Sequence, residues 1–290
     1  MAFDWRTEDD ETIEYHFNPR LSIPDAMSLL QGMPDRAAAA RGDLESRLDI
    51  RYGSRPKETF DLFPAANDRL GSPAPTQIFI HGGYWRMMDK SDHSHYATDV
   101  VAAGVNHISI NYDLCTSVTL DAIVDEIRTA IVYIYNSAAE LMIDPDRLYI
   151  CGHSAGGHLT GMMMRQDWAR IGLPTNVFKG AVPVSGVFDP APIIHTSINV
   201  DVRLDEAMAA RNDSLSSPPL NQAPVLAIVG GDEPEGFHQL SRRYVEICVN
   251  AGLQAEYKSV PGTNHFTVID EVFQAGSDCF NQVIGQISAS

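Results

Sequence analysis

Short apolar runs recur along the chain, with stretches of helical periodicity between them. LDIRYG (48–53), FDLF (60–63), QIFIHGG (77–83), HISINYD (107–113), LYICG (148–152), GAVPVSG (180–186), VLAIVGG (225–231) and AEYKSV (255–260) read as strands. Residues 120–141 carry the clearest helical pattern, with Ile123, Ile127, Ile131 and Ile134 on one stripe. A second helix starts after Ser154, a third spans 237–252 and a fourth covers 272–287. Strands alternating with helices in this way predict an α/β fold with a mostly parallel central sheet and helices on both faces.

Two segments break the alternation. Residues 20–48 read as helical, with Pro24 near the start and Pro34 as an interruption, so the pattern predicts an N-terminal helical segment over 1–48. Residues 188–222 form the longest stretch between two strands, lying between those at 180 and 225. An excursion beside the carboxyl edge of a sheet is where substrate caps are built, so this one is expected to be a small cap on a single domain of 1–290.

Composition narrows the classes. A chain of 290 residues that is 44% hydrophobic can bury a large core. Its net charge of −17 argues against nucleic acid and anionic membrane surfaces as partners, because both are drawn by clustered Lys and Arg. The N-terminus is acidic where a secretory signal needs a basic start, and no apolar run reaches the roughly 18–20 residues of a membrane span, which predicts a soluble cytoplasmic protein. Cys115, Cys151, Cys248 and Cys279 lie far apart in sequence and read as reduced, structural residues.

The chemistry centres on YICGHSAGGH (149–158). Gly152-His153-Ser154-Ala155-Gly156 fits G-x-S-x-G after a strand and before a helix, the context of a nucleophile elbow, although a glycine-rich turn that only packs gives the same pentapeptide. In that elbow Ser154 is the nucleophile, and the Ala155 amide at the helix N-terminus faces developing negative charge. A serine needs a base, an orienting acid and an oxyanion hole, with acid and base following it in chain order. His265, just after the last strand, is the expected base. The acid lies in GGDEPEG (230–236): the third position after Gly230 is Glu233, with Asp232 as the alternative. FIHGGYW (79–85) ends an early strand in two glycines, so Gly83 and Tyr84 are the expected amide donors and Gly82 shapes the turn.

Tyr84, Trp85, Phe188 and Phe266 adjoin these loops or the excursion and form a guess at an aromatic pocket, with ordinary packing as the alternative. His93 and His95 suggest metal only weakly, since no further ligand follows at a recognisable spacing. Ser91 or Asp92 reads as a helix cap there, and His158 as helix packing.

The combination of HGGYW followed by Lys90, then GHSAGGH, VGGDEPEGFHQLSRRY and NHF resembles the kynurenine formamidase (arylformamidase) branch of the α/β-hydrolases, near the hormone-sensitive-lipase-like esterases. LDIRYG, FDLFP and SGVFDPAPI extend the similarity over most of the chain from about Tyr15. The resemblance implies an α/β-hydrolase fold and a serine hydrolase without metal or cofactor, acting on a small molecule. It implies Ser154 as nucleophile, His265 as base and the acidic loop at Glu233 as orienter, with Glu where the family usually has Asp. An aryl formamide such as N-formylkynurenine is the expected substrate. A carboxylesterase or broader amidase with the same machinery is the first alternative, and a non-catalytic ligand-binding protein on this fold the second. Esterases of this kind often pair, which leaves a homodimer open.

Overall fold

Strands form where branched and aromatic residues run together: β1 (Arg47–Arg51), β2 (Thr59–Phe63), β3 (Thr76–Ile80), β4 (Asn106–Ile110), β5 (Leu148–His153), β6 (Phe178–Val184), β7 (Val225–Gly230) and β8 (Ala255–Val260). The structure, a computed structural model, describes residues 3–65 and 73–288. Among these the strands make one sheet in the order β1-β2-β4-β3-β5-β6-β7-β8. β2 runs antiparallel to β1 and β4, and every pairing from β4 to β8 is parallel. Every residue of β3, β4, β5 and β7 is buried, whereas the edge strands β1 and β8 are partly exposed. Near-continuous apolar runs are what a strand covered on both faces requires.

The helices are α1 (Asp10–Phe17), α2 (Pro19–Ser22), α3 (Ala26–Gln31), α4 (Met33–Asp43), α5 (Ala97–Ala102), α6 (Leu120–Asn136), α7 (Ala138–Leu141), α8 (Ala155–Arg165), α9 (Asn199–Val202), α10 (Glu206–Arg211), α11 (Glu235–Asn250), α12 (Val268–Phe273) and α13 (Asp278–Ser288). Alternation along the strands divides the core. Ile78, Ile80, Leu148 and Ile150 face the layer of α6, α8 and α11, with the Ile123, Ile127, Ile131 and Ile134 stripe fully buried against it. Phe79, Tyr149, Cys151 and Ile228 face α5, α12 and α13 on the other side.

Several expected boundaries shift for local reasons. The pattern at 120–141 is two helices separated at Ser137. The single helix expected over 272–287 is also two, because Gly276 takes a left-handed φ of 94° and the Ser277 hydroxyl then accepts the Phe280 N–H at 2.9 Å, capping α13. Pro34 does not interrupt a helix. It occupies the first turn of α4, where its missing N–H leaves no hydrogen bond unmade. In the short helical stretch at Lys90–Tyr96 the cap is Asp89, which accepts from Ser91 N–H while Asp92 accepts from Asp89 N–H.

α8 lies against the carboxyl ends of β3 and β5 at the limit of close packing. A Cβ on Gly156 would overlap the Ile80 carbonyl, and one on Gly152 would overlap the Gly156 carbonyl. Gly156→Ala is therefore expected to destabilise the fold by about 3 kcal/mol, since the obstruction is backbone and cannot rotate away. Denaturant titration of the purified variant checks this, and a midpoint equal to wild type would contradict it.

Buried histidines give the fold a second dependence. Burial holds the rings of His81, His95 and His107 down to about 3 and His158 to about 4, against an ordinary value of 6.5. These rings stay neutral in the folded state and take up protons on unfolding. Their contribution is fully present above 6.5 and is lost as pH falls below it towards those folded values. The thermal midpoint should hold near pH 7 and drop steadily by pH 5; a flat midpoint over that range counts against buried neutral rings.

Candidate active site

The ends of β3, β5, β7 and β8 bring four loops together at one edge of the sheet. After β5 the chain turns sharply at Ser154, whose φ of 57° and ψ of −116° lie where an L-residue is strained. Its N–H donates to the Val184 carbonyl at 2.8 Å, which ties the turn to β6, and Ala155 opens α8. The first N–H groups of a helix have no partner within it, so the Ala155 amide is available to an anion beside Ser154.

His265 follows β8 and is buried. Its Nε2 lies 3.0 Å from Ser154 Oγ and its Nδ1 lies 2.7 Å from Glu233 Oε2. A neutral ring that donates its Nδ1–H to the carboxylate presents Nε2 as an acceptor for the serine hydroxyl. The other oxygen of Glu233 accepts the Gly230 N–H at 2.7 Å and the Ser185 hydroxyl at 2.5 Å. Asp232, by contrast, is exposed, and its backbone N–H donates to the Thr263 carbonyl at 2.9 Å. Of the two neighbouring carboxylates, Glu233 is the one that reaches the imidazole.

Ser185 and His153 are partners that the sequence reading missed. Ser185 takes a left-handed φ of 47° at the end of β6, which turns its hydroxyl towards Glu233. His153 Nε2 sits 2.8 Å from the His265 carbonyl, and burial holds its ring well below its ordinary value. Their positions immediately after one strand and immediately before the nucleophile were the available signal.

The loop after β3 supplies the second set of amides. Gly83 has a φ of 104°, and Tyr84, Trp85 and Met88 also have left-handed values of 49°, 55° and 75°. Such strain persists only where the surroundings fix it. Tyr112 O–H donates to the His81 carbonyl at 2.8 Å, His81 Nδ1 lies 2.8 Å from the Gly82 carbonyl, and Tyr84 O–H donates to the Phe17 carbonyl. Below the loop the buried Lys90 ammonium pairs with Asp61 at 2.8 Å and Asp49 at 2.7 Å, and Asp61 also pairs with Arg41 of α4. A Cβ on Gly82 would come within 3.2 Å of the Ser154 Cβ, which measures how closely loop and elbow approach.

A cleft of about 640 Å³ opens over Ser154 and His265. Tyr84, Gly83 and Phe266 line it, as do His153, Met88 and Ile269. Trp85 and Phe188 do not. Trp85 is fully buried edge-on to His158, with ring centroids 5.1 Å apart, and Phe188 is stacked on Tyr244 at 4.2 Å. The roof is also not where the sequence pattern put the cap. Asn18, Pro19, Arg20, Leu30 and Met33 of the N-terminal helices cover the cleft, and among the described residues none of its lining comes from 188–222. That excursion instead braces the roof from outside. Glu14 of α1 accepts from Ser197 N–H at 2.5 Å and from Asn18 at 2.7 Å, and Arg86 pairs with Asp201 at 2.5 Å.

Among the described residues no group of three or more His, Cys, Asp or Glu is placed to hold a metal, and no helix is long and apolar enough to cross a membrane. His93 packs against Phe79 and His81, and His158 Nε2 lies 2.7 Å from the Asn212 carbonyl.

Comparison with known proteins bears on the family and the fold. Residues 61–183 match the BD-FAE family and residues 124–275 the prolyl oligopeptidase family. Kynurenine formamidase of Salmo salar is 29% identical over 92% of this chain and 93% of its own length, and that of Danio rerio 28% over 93% of each. A solved structure of a proposed thioesterase from Silicibacter sp. superposes with a TM-score of 0.81 at 27% identity, covering 95% of this chain and 98% of that one. Esterase B of Lactobacillus rhamnosis, at 17% identity and a TM-score of 0.69 over 92% and 95% of the two chains, shares the fold. The chain is a serine hydrolase of the α/β-hydrolase fold that resembles the kynurenine formamidases, and it belongs to the prolyl oligopeptidase family.

Proposed function

We propose that the protein hydrolyses an aryl formamide through a formyl ester on Ser154. The observation that carries the reading is the pair of hydrogen bonds, 2.7 Å and 3.0 Å long, that joins Glu233 through His265 to a serine facing a largely apolar cleft. The two fish relatives named kynurenine formamidase support the formamide, and the apolar walls of Tyr96, Phe266, Leu30 and Met33 suit an aryl group.

In this reading His265 Nε2 takes the Ser154 proton as Oγ attacks the formyl carbon. The oxyanion lies among the N–H groups of Ala155, Gly83 and Tyr84, where losing one donor typically costs about 2.7–4 kcal/mol of barrier. Glu233 keeps the proton on Nδ1 and stabilises the imidazolium. The ring then protonates the departing aniline nitrogen, the C–N bond breaks, and water activated by the same ring attacks the formyl ester to release formate. Four buried, unpaired cysteines support work in a reducing compartment such as the cytoplasm.

A carboxylesterase acting on small esters is the second reading. It is favoured by a relative of another name, carboxylesterase NlhH of Mycobacterium tuberculosis, and the same residues would carry it. Formanilides measured beside p-nitrophenyl esters of rising chain length separate the two. Formanilide turnover with a steep loss beyond acetyl is expected, and ester turnover without formanilide turnover rejects the formamide.

Ser154→Ala should lower kcat/KM by on the order of 10⁴-fold or more on every substrate while circular dichroism stays native; retained turnover would remove Ser154 from the mechanism. Glu233→Gln should lower kcat by on the order of 10²- to 10⁴-fold, and Asp232→Asn by less than about threefold. The reverse order would transfer the orienting role to Asp232.

A further inference from the structure

The charges around the cleft run against those of the whole chain. The sequence holds 38 Asp and Glu against 21 Lys and Arg, yet the described lining of the cleft includes two arginines, Arg20 and Arg86, and no carboxylate. Arg86 is already engaged by Asp201 at 2.5 Å. Nearby cations are engaged too: Arg36 pairs with Asp270, Lys57 with Asp89, and Lys90 with Asp49 and Asp61. Arg20 differs. Its Nη2–H donates to the Met87 sulfur at 2.9 Å, a weak neutral acceptor, and among the described residues no carboxylate pairs with it.

The backbone of Arg20 is fixed, and its exposed side chain reaches across to Met87 at the mouth of the cleft. Asn18 caps α2 by accepting the Arg20 N–H at 3.3 Å, Glu14 accepts from Asn18, and Ser197 donates to Glu14. Burial works against the charge on Glu14, yet the bonds from Ser197 and Asn18 outweigh it and hold the carboxyl below its ordinary value. A guanidinium with open donors, at the rim of an apolar cleft, matches the planar geometry of a carboxylate.

We propose that Arg20 is a specificity-determining residue that binds a carboxylate carried by the substrate away from the scissile bond. Building on the formamidase reading, this assigns a residue of the chain to the acidic end of an aryl formamide substrate. The apolar wall takes the ring, Ser154 takes the formyl carbon and Arg20 takes the charged end. The interaction acts on binding, so it appears in KM and not in kcat.

The test compares 4-(2-formamidophenyl)butanoate, which carries a free carboxylate, with its primary carboxamide, a neutral analogue of the same shape. Wild type should favour the carboxylate by on the order of tenfold in kcat/KM, less so at high salt. Arg20→Gln should bring the ratio to one through KM, Arg20→Lys should keep part of it, and Arg20→Glu should reverse it. Parity in wild type, or an equal loss on both substrates in Arg20→Gln, overturns the proposal and leaves Arg20 a structural residue. Binding of the corresponding amines, 4-(2-aminophenyl)butanoate and its carboxamide, to Ser154→Ala by calorimetry reads the same preference without turnover. A retained binding preference with no formanilide turnover therefore supports Arg20 and rejects the formamide. Equal binding alongside formanilide turnover does the opposite.

Discussion

Between the Ile80 carbonyl at the end of β3 and the backbone of Gly156 on α8 there is no room for a methyl group, and the site follows from that approach. It sets α8 directly over the sheet edge, so that the chain leaving β5 must reverse at one residue. Ser154 is that residue, and it accepts a φ that costs on the order of 1–3 kcal/mol. The same approach lays the loop after β3 beside the elbow, so amides from two distant parts of the sequence face one point. Further strain at Tyr84, Trp85, Met88 and Ser185 surrounds that point. The buried layers on both faces of the sheet offset it, which is why the strain is stored here and not relieved.

Polar groups beneath the site are satisfied from several directions, and this fixes their geometry. Glu233 has one oxygen filled by Gly230 and Ser185, so the other is aimed at His265 and has little freedom to rotate. The carbonyl of His265 is in turn engaged by His153. The loop after β3 is anchored by Lys90, whose charge is buried between Asp61 and Asp49 while Arg41 approaches Asp61 from α4. Breaking such a group by removing one partner leaves an uncompensated charge, typically several kcal/mol. It therefore links the N-terminal helices to the loop firmly, whatever its net contribution to stability.

Local features were legible in the sequence and tertiary ones were not. The strands, the isoleucine stripe of α6 and the G-x-S-x-G turn follow from short-range pattern, because each is set by residues within one turn or one strand. Counting from Gly230 pointed to Glu233 and left Asp232 as the alternative; it is the backbone path of the loop that buries Glu233 against His265 and leaves Asp232 exposed. Trp85 shows where pattern stops. It directly follows Tyr84 and Gly83, but successive left-handed residues turn its side chain into the core towards His158 while Tyr84 stays at the cleft. The roof was misread because α1 to α4 are short and only weakly amphipathic, and what places them is contact with residues nearly two hundred positions away, as between Glu14 and Ser197. The 188–222 excursion lies at the expected edge of the sheet, yet its polar groups are spent on α1, Arg86 and the Asp121 carboxylate.

This division separates chemistry from selection. The residues around Ser154 are locked by backbone approach, strain and buried charge, so substitutions there act on the whole sheet edge. Two of the roof helices, α2 and α3, are held more lightly. Leu21 and Met27 lie 61% and 56% exposed on them and they bury only Pro19 and Ala26, so they gain little from apolar burial, while α1 and α4 are anchored by Phe17 and by the Arg41–Asp61 pair. A side chain on the cleft side of α2 or α3 can therefore change without disturbing Ser154, His265 or the loop after β3. On the proposed reading, Ser154, His265 and Glu233 act on the scissile bond and the N-terminal layer over the cleft selects the molecule held there.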